Sequence, residues 1–130
     1  KEAAMATLMV PITDAHEFND PSAVKVVASD TGKALYFSRS PIPFHRDGLP
    51  EHGAVLGYRH LGIYAYRAGF LQRFAAAPMA ELERAEKLEQ LRALAMGESI
   101  AVAVAKMIPH AGVDTPADLE RVRDVLQTRV

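Results

Sequence analysis

Apolar and polar residues along this chain fall into short runs with two different periods. Thr7 to Ile12 suits a short strand, and Asp14 to Phe18 suits one helical turn before the Asn19-Asp20-Pro21 breaker. Ala23 to Ser29 and Lys33 to Arg39 are two β-rich runs separated by Asp30-Thr31-Gly32, whose glycine supplies the positive φ of a short hairpin loop. In Gly57 to Tyr66, read GYRHLGIYAY, a period of two places Leu61, Ile63 and Ala65 on one face and His60, Gly62, Tyr64 and Tyr66 on the other. The first face is plain core. The second carries an imidazole and two phenols around a glycine.

Helical spacing follows. Ala68 to Ala76 predicts a short helix that buries Phe70, Leu71 and Phe74, and Pro78 begins the longest helix, to about Met96, with Gly97 as its C′ residue. Ile100 to Ala105 reads as a buried strand. Thr115 can cap a last helix with Pro116 at its first position, Asp118 at capping-box spacing, and Leu119, Val122 and Leu126 as its apolar stripe. Ser40 to Gly57 holds three prolines and three glycines, so it is expected as a long irregular connection of the kind found at functional sites and interfaces. Strands alternating with helices predict an α/β domain with the hairpin as an antiparallel excursion.

Composition narrows the possibilities. A chain of 130 residues suits one domain, and 49% apolar residues with a net charge of −1 fit a soluble, globular protein and no nucleic-acid partner. Absence of cysteine removes disulfides, thiolate zinc sites and cysteine nucleophiles, and fits a reducing compartment, so a cytoplasmic location is expected. The longest apolar run is too short to span a bilayer, so no membrane is expected. The opening KEAAMATLMVPI lacks an initiator methionine and runs at once into a strand, as either a piece of a longer chain or a mature natural terminus would. No Gly-rich phosphate loop, G-x-S-x-G or H-E-x-x-H occurs, which removes the common hydrolase and metalloprotease signatures.

Four places could carry chemistry. Glu89 shares a predicted helix face with Leu82, Ala85, Ala93 and Met96, with Gln90 and Glu86 beside it; an unpaired buried carboxylate costs several kcal/mol, on the order of the whole stability margin. Either an ion pair with Arg59 or Arg39 satisfies it, or the face is exposed, or a sugar hydroxyl or metal does so. His60 is either a hydrogen-bonded core histidine or, aligned with Gly62 and Tyr64, part of a ligand wall. Arg39 is a solvated strand end or a bidentate anion site. Asp114 is a helix-terminal charge or a ligand for a hard cation such as magnesium.

KVV leading through the hairpin into ALYFSR, Ile42-Pro43, Arg46-Asp47, RHLGIYAYRAGFL, KLEQLR and GVDTPADLERVR resemble, in that order, the 3-deoxy-manno-octulosonate (Kdo) cytidylyltransferases, or CMP-Kdo synthetases. The match runs over nearly the whole chain; the related CMP-sialic acid synthetases share the fold but match HLGIY and LEQLR less well. The resemblance is to the C-terminal half of that family. It implies part of a nucleotidyltransferase-type α/β mixed sheet flanked by helices, with residues 1–130 as a single domain or fragment that lacks the N-terminal nucleotide-binding half. Activity would then belong to the complete protein and not to this piece alone. The implied reaction joins the anomeric hydroxyl of Kdo to the α-phosphate of CTP, giving CMP-Kdo for lipopolysaccharide assembly and releasing pyrophosphate. By the same resemblance Asp114 binds magnesium and acts in catalysis, Arg39 faces the sugar acid or a phosphate, and His60, Tyr64, Glu89 and Gln90 line the sugar pocket, where Gly62 leaves room. Ser40 to Tyr58 is similar to the family's dimerisation region, which implies a homodimer. Two other readings stand beside this one: a cytidylyltransferase for another acidic sugar such as a sialic acid, and a non-catalytic sugar-binding or dimerisation module.

Overall fold

The expected first strand extends over Met5–Ile12 (β1) in a computed structural model that describes residues 2–106 and 116–128. Asp14 starts the helical turn Ala15–Asn19 (α1), its carboxylate accepting from the His16 N–H at 3.1 Å. The hairpin is present as Lys25–Ala28 (β2) and Ala34–Ser38 (β3), with Gly32 at φ 79° in the turn. Gly57–Tyr66 forms β4, Ala68–Ala76 α2, Glu81–Glu86 α3, Leu91–Ala95 α4, Ile100–Val104 β5 and Pro116–Thr128 α5.

The five strands form one mixed sheet in the order β3-β2-β4-β1-β5, as the α/β reading with an antiparallel hairpin requires. β1 runs antiparallel to β4 and parallel to β5. β4 is paired along β1 from Gly57 to Tyr66, but on its other edge β2 pairs only Tyr58 and Arg59, with one further bond from the His60 N–H to Val24 O. In the β1–β4 ladder Leu8 faces Leu61 and Thr7 faces Tyr64, so Gly62 and Ile63 bulge out without a partner in β1.

One core lies between the sheet and the helices α2 and α4. Val26, Phe37, Leu91, Ala93 and Ile100 are fully buried in it, with Phe70 and Phe74 from α2. A smaller cluster of Ile12, Phe18 and Leu56 seats the long loop, and a Cβ at Gly57 would come within 2.8 Å of the Phe18 ring and 3.0 Å of Ile42 O, so this strand start needs glycine.

Three expectations require correction. Leu71 is exposed, because it lies about 100° around α2 from the Phe70–Phe74 stripe. The Leu61, Ile63 and Ala65 face of β4 is not plain core either: Leu61 is buried, but Ile63 and Ala65, in and beyond the irregularity at Gly62, are exposed. Most consequentially, the long helix from Pro78 to Met96 does not form. α3 ends at Glu86, Lys87 takes the left-handed conformation at φ 58°, and α4 begins only at Leu91, although Gly97 then ends the segment at φ 82° as expected.

Candidate functional site

The polar face of β4 assembles as the period of two predicts. The His60 ring meets Phe37 edge-on at 4.9 Å between centroids and lies 5.3 Å from Tyr64, which is 5.8 Å from Tyr66. Tyr66 in turn stacks on Phe70 at 6.4 Å, so the row continues from the sheet onto α2. Burial pushes the His60 pKa down to about 4, and the ring is neutral near neutral pH. Burial, aided by Tyr66 and by the negative charge of Glu89, pushes the Tyr64 phenol up, and Tyr66 shifts the same way from burial and Glu89. Both phenols therefore stay protonated and can donate. A neutral imidazole, two phenols and a carboxylate within electrostatic reach form a set suited to hydroxyl groups.

Glu89 reaches this set by a route the helical spacing does not show. The break at Lys87 removes it from the apolar stripe, so Glu89 is exposed and Gln90, its neighbour, is buried at 5% exposure. The helix stops because its last carbonyls are taken from the side. The Arg39 Nε donates to Glu86 O at 2.7 Å, the oxygen that the N–H of residue 90 would claim in a continuing helix, and Nη2 reaches Lys87 O at 3.4 Å. The Glu86 carboxylate in turn accepts from Ser38 Oγ at 2.9 Å and the Arg39 N–H at 2.8 Å. Burial raises the Glu86 pKa, but the bonds from Arg39, Ser38 and Tyr36 outweigh it and hold the carboxyl below its ordinary range. β3 thus clamps the α3–α4 junction that carries Glu89 and Gln90.

The third guanidinium nitrogen of Arg39, Nη1, donates to Pro21 O at 2.9 Å. Three of its five N–H donors are thereby spent on backbone, and among the described residues no hydrogen bond or ring contact joins Arg39 to His60 or Tyr64. Lys25 grips the same 20–23 loop from beneath: its side chain is fully buried, and Nζ donates to Asp20 O at 2.8 Å and to Ala23 O. The buried carboxylate of this region is Glu83, 5% exposed and bonded by both Nε and Nη2 of Arg92 at 2.9 and 2.7 Å. Asp114 lies outside the described residues, and among those described no group of three or more His, Asp or Glu could hold a metal ion. No described helix is long and apolar enough to cross a membrane.

Sequence reasoning passes over Thr7 and Ser38, and it has Glu86 only as a polar neighbour of Glu89, without its role at the helix break. A lone threonine or serine in a strand is ordinary, and Glu86 carries no spacing signal; each is identified only by what the fold brings to it.

Comparison with known proteins gives a consistent result. The family model described as Cytidylyltransferase matches residues 1–100. A 3-deoxy-manno-octulosonate cytidylyltransferase of Polynucleobacter necessarius subsp. necessarius (strain STIR1) is 56% identical over 126 residues, covering 97% of this chain and 49% of the relative. A protein of the same name from Pectobacterium carotovorum subsp. carotovorum (strain PC1) is 53% identical over 131 residues, covering 98% and 52%. Among solved structures, CMP:2-keto-3-deoxy-manno-octonic acid synthetase complexed with CTP matches with a TM-score of 0.86 and 42% identity over 98% of this chain and 51% of that chain. The chain spans about half the length of the curated relatives it matches.

Proposed function

The chain belongs to the cytidylyltransferase family, and from that premise we propose that the complete protein transfers CMP from CTP to the anomeric hydroxyl of Kdo. The hydroxyl oxygen bonds to the α-phosphorus, its proton is lost, and pyrophosphate leaves. The product, CMP-Kdo, serves lipopolysaccharide assembly in the cytoplasm. The observation that carries this reading is the contact of the His60 and Tyr64 rings on one face of β4, near enough to Glu89 for its charge to help raise the Tyr64 pKa. That set matches a polyhydroxylated sugar: the protonated phenol donates, while the imidazole and the carboxylate accept.

In this proposal Gln90 backs the same pocket, and Arg39, beyond its clamp on the α3–α4 junction, offers its two remaining N–H donors to a carboxylate or phosphate. Magnesium belongs to the proposal through Asp114, with further ligands from outside the described residues; it would neutralise phosphate charge during the transfer. This chain's described residues bind and orient the sugar acceptor, and the nucleotide would be held by the remainder of the complete protein.

Pyrophosphate release by the complete protein with CTP and Kdo tests the activity; release with a sialic acid and not with Kdo would replace the acceptor. Within that assay, Glu89→Ala should lower kcat/KM for Kdo by about thirtyfold, roughly 2 kcal/mol, because ligand hydroxyls lose a charged acceptor. The value for CTP should barely change. Equal, small effects on both substrates would remove Glu89 from the pocket.

The complete protein is also proposed to be a homodimer through the 40–58 loop, where Phe44 is 85% exposed and Leu49 and Val55 are exposed beside it. Equilibrium sedimentation at tens of micromolar, roughly the range of a modest interface, should give the dimer mass. A monomer would overturn this part.

A further inference from the structure

The two-residue bulge in β4 closes around one hydroxyl. Thr7 is 4% exposed, and its Oγ1 lies 2.9 Å from His60 Nε2, 3.0 Å from Leu61 O and 2.8 Å from Ile63 O. These two carbonyls flank Gly62, at the point where β4 has no ladder partner in β1. A threonine hydroxyl has one hydrogen, and a carbonyl oxygen can only accept. Were that hydrogen given to His60, two carbonyl oxygens would face the hydroxyl oxygen at 2.8 and 3.0 Å with nothing between them. The hydrogen therefore goes to the carbonyls, and the hydroxyl oxygen accepts from Nε2, which must carry a proton. With the ring neutral, Nδ1 is left as a bare acceptor.

We propose that Thr7 is a positioning residue, which fixes His60 as the Nε2–H tautomer and so presents Nδ1 as an acceptor to a hydroxyl of the sugar. Resting as it does on the reading of His60 as part of the sugar pocket, the proposal adds the group that decides what this histidine can recognise. Phe37 and Tyr64 hold the ring plane from two sides, while Thr7 alone among the described hydrogen bonds fixes its protons. The same hydroxyl ties the bulge, so the strand irregularity and the ring's chemistry are set by one atom.

Proton–nitrogen correlation spectra of the complete protein, labelled with 15N at histidine, should show His60 protonated at Nε2 alone. That measurement needs no variant, and an Nδ1–H ring would overturn the proposal. Thr7→Ser keeps the hydroxyl and should keep both the tautomer and the KM for Kdo. Thr7→Val keeps the shape and loses the hydroxyl, so the two tautomers should mix and the KM for Kdo rise about tenfold, with the KM for CTP unchanged. A Thr7→Val protein with a pure Nε2–H ring and an unchanged KM would equally overturn it. His60→Gln separates the layers: if it leaves the KM for Kdo unchanged, the pocket reading fails; if it raises the KM while the wild-type ring is Nδ1–H, only the role of Thr7 fails.

Discussion

Asp114→Asn in the complete protein should lower turnover by roughly two or more orders of magnitude while leaving the fold intact. The substitution keeps the size of the side chain and one acceptor oxygen, and removes only the charge. Phosphoryl chemistry of the proposed kind depends on positioning and on neutralising charge at the phosphates, so a magnesium-binding carboxylate contributes through that charge. Asp114 stands two residues before Pro116, the first residue of α5. As a helix-terminal charge it would contribute well under about 1 kcal/mol to stability and nothing to the reaction. Turnover measured across magnesium concentrations for both proteins, with thermal melting as control, separates the two. A near-normal rate in Asp114→Asn would reject the metal role and leave the sugar-pocket residues as the support for the function.

The largest stability effect is expected at Glu83. Its carboxylate accepts from Arg92 at 2.9 and 2.7 Å and from the Ala80 N–H at 3.1 Å, while the guanidinium also lies over the Phe74 ring at 4.7 Å and donates to Phe74 O. Both side chains are largely out of water, at 7% and 16% exposure. Glu83→Ala leaves the cation without its anion and should cost about 3–5 kcal/mol, a fall in Tm of about 10 °C for a protein of the relatives' length. Replacing both partners, as in Glu83→Leu with Arg92→Met, should restore most of it, because neither charge is then left buried. A loss below about 1 kcal/mol in the single variant would mean the pair behaves as an exposed one. The bonds from Arg92 hold the Glu83 carboxyl below 4.5, so this stabilisation is present above that pH and is lost only as pH falls through the lower, folded value.

The same residue shows where sequence reasoning succeeds and fails. Helical spacing puts Glu89 on an apolar stripe and leaves open an ion pair, an exposed face or a ligand; the exposed alternative holds, and the buried carboxylate is Glu83, which no spacing marks. What fails is the one continuous helix: no glycine or proline marks Lys87, and a positive φ at lysine is rare enough that no reading of propensity places it there. The break is imposed by Arg39, just beyond β3, on the carbonyl of Glu86, 47 residues away in the chain. Local signals that need no such partner were reliable. Gly32 marked the hairpin turn, Gly97 the end of the helical segment, Pro116 the start of α5, and the alternation in GYRHLGIYAY placed His60 and Tyr64 on one face. The packing of the described residues does not require glycine at 62: a Cβ there would meet no described atom within 4 Å, and the residue lies in the bulge that Thr7 ties.

The uneven pairing of β4 has a consequence for handling the protein. From Leu61 to Tyr66 one side of the strand pairs with no strand among the described residues, and Ile63 and Tyr66 are exposed there. Such a border is a template on which another extended segment can add; it carries neither proline nor lysine, and the bulge at Gly62 and Ile63 is what discourages it. Any sample that leaves this border open invites edge-to-edge assembly and, at high concentration, aggregates of cross-β type.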